Sequence, residues 1–415
     1  MEHRMRLYPR PFCERGYFFL TLHVKMTTGM KRHEMRRRLS RRALAASLWI
    51  VAACDPSGVD APRAEGKISL EEVAELLSRL PLDERHFEEV HDAVMASSEY
   101  GYDEEYTMAK LFTEPGSGVA GETVKSSGRH YQNPVRDLIR DYLESRPLTR
   151  SGDEMSTDEY MACLTASGMQ IYWPYSDRWD GVTAPVITFD PCSASAVNVG
   201  YEIGGDGPRE IMVNEQMARE RPVWVVNNND DACYESIELL RRKDPLWATG
   251  GEVVVKSSDV RTLILKDFTM HRHYDSWFTG GSEFFVKCGS VENFTASTEA
   301  EMRMYSPCIT DFMIVVKREQ LDQPLPFNAV LISDWTDQLD SFAFMVIEDD
   351  GGTMTSWKCS ATVKVQSKSY GFELEIPFRK YDDIVWRGQL SSRYFEKNNN
   401  VKGRFGDVSM TFAFR

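Results

Sequence analysis

The sequence lacks the features that define several large classes of protein. Its longest apolar run, Ala43–Ala53, has 11 residues, about half of the ~20 that a helix needs to cross a bilayer. It contains no G-x-S-x-G, G-x-x-x-x-G-K-[ST] or H-E-x-x-H motif, so the usual signatures of serine hydrolases, P-loop nucleotide-binding proteins and zinc proteases are missing. None of the cysteines forms a C-x-x-C pair, and neither a zinc site nor a thioredoxin-type site is therefore indicated.

Acidic side chains dominate everything after the first 53 residues. The whole chain has a formal charge of −14, but residues 1–53 hold 12 Lys and Arg against 3 Asp and Glu. The remaining residues hold 37 basic and 60 acidic side chains, a net charge of −23. Such a surface repels nucleic-acid phosphates, so we predict no nucleic-acid partner.

The basic residues at the front precede a short apolar segment and a cysteine. Seven basic residues between positions 31 and 42 are followed by Ala43–Ala53 and then by Cys54. This is the order of charge and hydrophobicity in a secretory signal peptide, although a buried helix with a chance cysteine is the alternative. Val51-Ala52-Ala53-Cys54 resembles the lipobox of bacterial lipoproteins, in which the cysteine becomes the lipidated first residue. The resemblance implies a lipid anchor at Cys54 and a location at the outer membrane or the periplasmic face of the bacterial envelope.

The segments on either side of this signal peptide also fit export. Residues 1–29 lie ahead of it, and Met30 or Met35 would each begin a signal peptide of ordinary shape, so we expect translation to start after Met1. Residues 54–66 are rich in Pro, Gly and small side chains and are predicted to be a flexible tether.

Six cysteines follow Cys54. They could form disulfides, which an exported protein permits. The alternative interpretation is that they are small buried residues of the core.

Periodicity divides the rest of the chain into three predicted regions. Residues 67–150 carry apolar side chains at helical spacing, whereas residues 151–280 contain short strands separated by hairpin signals. Residues 281–415 contain seven candidate strands, and Phe372–Ile376 alternates apolar and acidic residues, as in a sheet with one wet face. We therefore predict a mainly β protein, α+β overall. Its N-terminal helical segment would precede two antiparallel β domains, the last a C2-like or immunoglobulin-like sandwich.

Five aspartates at predicted strand ends form the first candidate site. Asp334, Asp337 and Asp340 follow one predicted strand, and Asp349 and Asp350, together with Glu348, end the next. Calcium takes roughly six to eight oxygens, usually from loop carboxylates. The layout resembles C2-type sandwiches, which gather aspartates around calcium, although the Asp-x-Asp of that family's third loop is missing. The two groups lie at opposite ends of one strand, and ordinary turn chemistry is the alternative interpretation.

Two further clusters of side chains are candidate sites. His271 and His273 would point to one face of a strand and could bind a metal together with Asp275, but a polar strand end explains the same residues. Four aromatic residues interleaved with charged ones suit a carbohydrate or peptide groove, although core packing is the commoner role of such residues. The four are Tyr172, Trp173, Tyr175 and Trp179.

Two segments carry a wider resemblance. Gln170–Asp190 and Asp275–Phe284 resemble segments of uncharacterised bacterial cell-envelope lipoproteins. That resemblance supplies no catalytic residue. We therefore predict a non-catalytic binding or scaffold role, with a membrane reached through the lipid anchor and a protein or polysaccharide as partner. The alternatives are a secreted hydrolase with a metal or carboxylate site, and a calcium-dependent adhesion module.

Lipidation at Cys54 is directly testable. Mass spectrometry of the mature protein should find a chain that begins at Cys54 with an added lipid mass. Cys54→Ser should lose that mass, because only a thiol forms the thioether to diacylglycerol, whereas Cys163→Ser should keep it. A mature chain that begins upstream of residue 54 without lipid would contradict the prediction.

Overall fold

The computed structural model describes eight stretches of the chain, all within one compact unit that spans Pro56–Arg415. They are residues 68–113, 131, 133–145, 155–204, 207–229, 234–243, 260–395 and 400–415. Cys54, the predicted signal peptide and the tether lie outside the described residues. None of the helices in these stretches is long and apolar enough to cross a membrane.

Five helices lie between residues 70 and 166, and side-chain hydrogen bonds cap the N-termini of the first and the fifth. The Ser69 side chain caps the first helix by accepting a hydrogen bond from the Glu72 N–H (3.1 Å), and Ser156 and Glu159 form a capping box at the start of the fifth, which satisfies otherwise unpaired N–H groups. The helices are α1 (Leu70–Ser78), α2 (Glu84–Glu99), α3 (Met108–Leu111), α4 (Val135–Ser145) and α5 (Thr157–Ala166).

Six short strands form the first sheet. They are β1 (Glu105–Thr107), β2 (Met169–Tyr172), β3 (Val186–Phe189), β4 (Val197–Glu202), β5 (Arg209–Asn214) and β6 (Val223–Asn228). The order is β1-β2-β6-β3-β4-β5. The β3–β6 pair is parallel and the other pairs are antiparallel, so this sheet is mixed rather than purely antiparallel as predicted. Helix α6 (Glu215–Glu220) follows β5 directly.

The helices cover one face of this first sheet. Val73 and Leu77 of α1 and Phe87 of α2 share a buried cluster with Trp173 and Trp224. The Phe87 and Trp224 ring centroids are 6.0 Å apart. The helices predicted over residues 67–150 therefore share their core with the strands that follow them.

Two antiparallel sheets form a C-terminal β-sandwich, which confirms the predicted mainly β class. Its strands are β7 (Val260–Met270), β8 (Ser282–Ser290), β9 (Cys308–Val316), β10 (Leu325–Thr336), β11 (Leu339–Glu348), β12 (Met354–Val365), β13 (Lys368–Arg379), β14 (Asp383–Ser391), β15 (Asn400–Phe405) and β16 (Val408–Phe414). One sheet has the order β10-β7-β16-β15, and the other has the order β13-β12-β11-β8-β9 with β14 also paired to β11. Helices α7 (Ile237–Lys243) and α8 (Glu299–Met302) lie outside the strands.

The sandwich begins earlier in the chain than the predicted boundary at residue 281. Strand β7 pairs with β10 on one side and with β16 on the other. Its buried residues Leu263, Leu265 and Phe268 belong to the sandwich core. Residues 260–270 are therefore part of the sandwich and not of the preceding sheet.

The loop between β7 and β8, residues 271–281, connects the sandwich to the uncovered face of the first sheet; we call it the docking loop. Its Trp277 and Phe278 are 4% and 0% exposed and pack in one cluster with Tyr172, Val213 and Val225. The Trp277 indole Nε1 donates a hydrogen bond to the Ala196 carbonyl (3.1 Å). Burying two aromatic side chains of this size is a large apolar contribution to stability, so the docking loop fixes the sandwich against the sheet.

Polar contacts and two glycines complete this attachment. The Asn227 amide donates to the carbonyls of Phe278 (3.0 Å) and Thr279 (2.6 Å), and the Gly281 N–H donates to the Asp103 carboxylate (2.7 Å). A Cβ on Gly280, whose φ is +144°, would lie 2.7 Å from Asp103 Oδ2, and one on Gly281 would lie 2.8 Å from the Val316 carbonyl oxygen. Only glycine allows the backbone to approach so closely.

Candidate functional site

A small pocket opens beside the turn that follows β2. Its volume is about 170 Å³. Trp173, Tyr175 and Ala218 line its buried part. The charged side chains around it are those of Arg178, Asp180, Arg219, Glu220 and Arg221. The pocket thus combines an aromatic floor with a charged rim, so it could offer a small ligand both apolar and polar contacts.

The turn that forms the floor is held in an uncommon backbone conformation. Tyr175 has φ 59° and ψ 30°, a left-handed conformation that costs a non-glycine residue about 1–2 kcal/mol. It precedes a 3₁₀ turn, Ser176–Arg178. Buried Glu104 accepts hydrogen bonds from the Ser176 N–H (3.2 Å) and Oγ (2.8 Å), and the Tyr175 hydroxyl donates to Glu215 (2.8 Å). These contacts keep the turn in place.

Two arginines flank the Tyr175 ring. The Arg178 Cζ is 4.8 Å from the ring centroid and the Arg219 Cζ is 5.2 Å away, which are cation–π distances. Each guanidinium also contacts a carboxylate, Arg178 that of Glu319 (3.4 Å) and Arg219 that of Glu215 (3.0 Å). Both guanidiniums are therefore held near the pocket mouth.

Trp179 forms one wall of the pocket and is also fixed. Its ring centroid is 5.1 Å from that of His91 and 5.4 Å from that of Trp173, and its Nε1 donates to the Thr183 carbonyl (2.9 Å). The neighbouring Asp180 carboxylate accepts hydrogen bonds from the Thr183 hydroxyl (2.6 Å), the Thr183 N–H (2.7 Å) and the Val182 N–H (3.0 Å). These bonds lower the pKa of Asp180 to about 2 and order the loop beside the wall.

Three of the four aromatic residues predicted to form a groove line this pocket. Tyr172 does not, because its side chain is fully buried and packs with the docking loop. Successive residues of a strand point to opposite faces, and Trp173 accordingly packs on the helix-covered side. The core interpretation thus fits Tyr172, and it also fits Trp173 and Tyr175, which are buried core residues that form the pocket floor as well.

A second candidate site is a buried cluster of carboxylates, Asp275, Glu283 and Glu348, which we call the carboxylate cluster. One oxygen of each lies within 4.8 Å of the others. Asp275 belongs to the docking loop, Glu283 to β8 and Glu348 to the end of β11, where Glu348 is 0% exposed. Three oxygens bound to one calcium ion at 2.3–2.6 Å would have this spacing.

Negative charge exceeds positive charge around this cluster. Burial raises the pKa of Asp275, while a hydrogen bond with Glu348 and the charge of Arg318 act in the opposite direction. Burial and then the charges of Asp275, Asp383 and Asp349 raise the pKa of Asp350 to about 6. A buried group of like charges must take up protons or a cation.

Buried Arg318 is the main cation near the cluster. Its guanidinium donates to the Asp275 carbonyl oxygen (2.8 Å) and pairs with Glu215 of α6 (3.3 Å). Arg379 pairs with Asp349 (3.6 Å). Both arginines thus also contact carboxylates outside the carboxylate cluster.

The five aspartates predicted to bind calcium do not converge. Asp337 pairs with Arg261 (2.9 Å) and Asp340 with Lys364 (2.5 Å), and Asp334 lies beside them at the end of β10. Asp349 and Asp350 follow the other end of β11, whose ten residues span roughly 30 Å. Only this second pair lies near the carboxylate cluster.

The predicted metal site of two histidines and Asp275 does not form either. Strand β7 ends at Met270, so the alternation of a strand does not apply to His271 and His273. The two ring nitrogens of His271 contact Asp322 (2.6 Å) and the Ser409 hydroxyl (2.7 Å). Burial, and then the charge of Arg318, lower the pKa of His273 to about 4. Asp275 instead meets Glu348, which ends the same predicted strand as Asp349 and Asp350, and Glu283, which the sequence analysis did not select.

Cysteines in the described part of the chain give no support for disulfides. Cys163 and Cys192 are exposed thiols, and Cys288 is a buried one. Cys359 is also unbridged. Cys288 packs in the sandwich core, as the alternative interpretation of these residues predicted.

Comparisons with known proteins do not identify either site. No protein-family model matches the sequence, and no curated protein is significantly similar to it. The solved structure of Drosophila C2-DSL-EGF1 is similar over 38% of this chain and 67% of that chain, with 14% identity and a TM-score of 0.17. A TM-score this low does not establish a shared fold, so this similarity indicates no function for the chain.

Calcium provides a direct test of the carboxylate cluster. A ligand that binds only the folded state stabilises it by about 2.7 kcal/mol at a concentration of one hundred Kd. We expect the wild-type melting temperature to be higher in calcium than in EDTA, and Glu348→Gln to lose this difference because it removes one charged ligand. Asp337→Asn, from the other group of aspartates, should keep it. Equal wild-type midpoints in calcium and in EDTA would exclude calcium from the cluster.

Proposed function

We propose that this protein is a lipid-anchored component of the bacterial envelope with a non-catalytic binding role, and that it binds a small ligand in the pocket beside Tyr175. The pocket carries this proposal, because it joins a buried aromatic floor to polar groups that are already ordered. An ordered site loses little conformational entropy when a ligand binds. The motif Val51-Ala52-Ala53-Cys54 supports the envelope location.

The dimensions of the pocket favour a ligand of about the size of one sugar ring. Pockets for drug-sized molecules are about 300–1,000 Å³, whereas this one is about 170 Å³. Trp179 is half-buried and offers an apolar ring at the edge of the pocket. The charged rim supplies hydrogen-bond donors and acceptors for hydroxyl groups. A monosaccharide, free or at the end of a polysaccharide, meets these requirements, in keeping with a polysaccharide partner.

A cation-dependent role is the second candidate, and the carboxylate cluster favours it. The cluster lies under the docking loop, so a bound cation would stabilise the attachment of the sandwich to the first sheet. In this role calcium would support the fold around the pocket and would take no part in a reaction.

Ligand binding can be tested with the full chain and a panel of monosaccharides, namely glucose, N-acetylglucosamine, glucuronate and galacturonate. We expect at least one of them to give saturation-transfer NMR signals and to change the tryptophan fluorescence. Trp179→Ala should weaken that binding about tenfold, since stacking on a ring contributes about 0.5–1.5 kcal/mol beyond the area that it buries. Trp357→Ala removes a half-buried tryptophan of the sandwich and should leave binding unchanged. No binding by any member at millimolar concentrations would contradict the proposed function.

A further inference from the structure

The charges on the pocket rim are unlike those of the rest of the protein. Three guanidiniums, those of Arg178, Arg219 and Arg221, line the pocket together with two carboxylates, those of Asp180 and Glu220. The chain after residue 53 is strongly acidic. Glu319, Glu215 and Glu202 each pair with one of these arginines, so the rim offers individual guanidinium N–H donors rather than a net positive field.

Each of the two rim carboxylates already accepts hydrogen bonds from its own loop or helix. Asp180 accepts three hydrogen bonds from residues 182 and 183. These bonds order the turn that begins at Asp180. Glu220 accepts a hydrogen bond from the Gln216 amide (2.6 Å) within α6. Their hydrogen-bonding capacity is therefore used within their own loop and helix, while their negative charge remains near the rim arginines.

The arginines keep donors for a ligand. A guanidinium has five N–H groups, and the contacts of Arg219 and Arg221 with Glu215 (3.0 Å) and Glu202 (2.7 Å) each join one nitrogen to one oxygen. The Arg221 Nε is covered from solvent and has no acceptor among the residues that the structure describes. Arg219 is 43% exposed, so a ligand can reach it at a modest cost in desolvation.

From these observations we propose that the ligand of the pocket is an anionic sugar of the hexuronate class. Its carboxylate would bind the Arg219 guanidinium, and its ring would lie against Trp179. The planar fork of arginine matches a carboxylate, to which it can donate two parallel hydrogen bonds. Cation–π contacts on Tyr175 hold the Arg178 and Arg219 guanidiniums beside the pocket before a ligand arrives. This inference rests on the proposed function, because it names the class of ligand for the same pocket.

The test compares glucuronate with glucose, which differ at one carbon by a carboxylate in place of a hydroxymethyl group. We expect the wild-type full chain to bind glucuronate about tenfold more tightly than glucose, because charge-assisted hydrogen bonds are roughly twice as strong as neutral ones. Arg219→Met should bring this ratio close to one. Arg219→Lys, which keeps the charge but loses the fork, should give an intermediate ratio.

Arg140→Met is the matched control. Arg140 pairs with Asp158 at 2.9 Å and is 46% exposed, much as Arg219 pairs with Glu215, but it lies on α4 and does not line the pocket. Its replacement should leave the preference for glucuronate unchanged. Equal binding of both sugars, still lost in Trp179→Ala, would overturn the anionic ligand and leave the proposed function standing. Binding of neither sugar would overturn the inference, and absence of binding by the whole panel would remove the proposed function as well.

Discussion

The packing of Trp277 and Phe278 on the face of the first sheet that the helices do not cover is the contact on which the other features depend. It presses the docking loop against Tyr172 at the end of β2, and the pocket turn begins immediately after that residue. It also places Asp275 next to Glu283 and Glu348. Residues of both the pocket turn and the carboxylate cluster therefore adjoin this contact.

Two neighbouring acidic residues couple the parts of this junction. Asp103 accepts the hydrogen bond of the Gly281 N–H in the docking loop, while Glu104 accepts those of Ser176 in the pocket turn. Burial raises the pKa of both, that of Glu104 to about 7. The charges of Lys317 and Arg318 act in the opposite direction on Asp103, and Arg318 also pairs with Glu215, which contacts Tyr175 and Arg219. Asp103, Glu104 and Glu215 thus join the docking loop, the pocket turn and α6 in one connected set of polar contacts.

Local features of the fold could be read from the sequence, and long-range ones could not. The caps at Ser69 and the alternation in Phe372–Ile376 depend on neighbours a few residues apart, and the structure has the helix and the strand they indicate. The pocket aromatics were found because they lie within eight residues of one another. Arg219 joins them from some forty residues away, and Glu283 and Glu348 meet Asp275 only through the pairing of β8 with β11. The same dependence on pairing explains why β7 was assigned to the wrong side of a boundary.

Hydrogen exchange measured on Phe278→Ala tests the dependence on the docking loop most directly. Truncation of a fully buried phenylalanine costs about 3–5 kcal/mol. We expect peptides from β2 and from β8 to lose protection together, because both pack against this loop, whereas Tyr394→Ala, at an exposed aromatic of the sandwich, should leave both protected. Unchanged protection of β2 in Phe278→Ala, with or without a change in β8, would contradict the central claim.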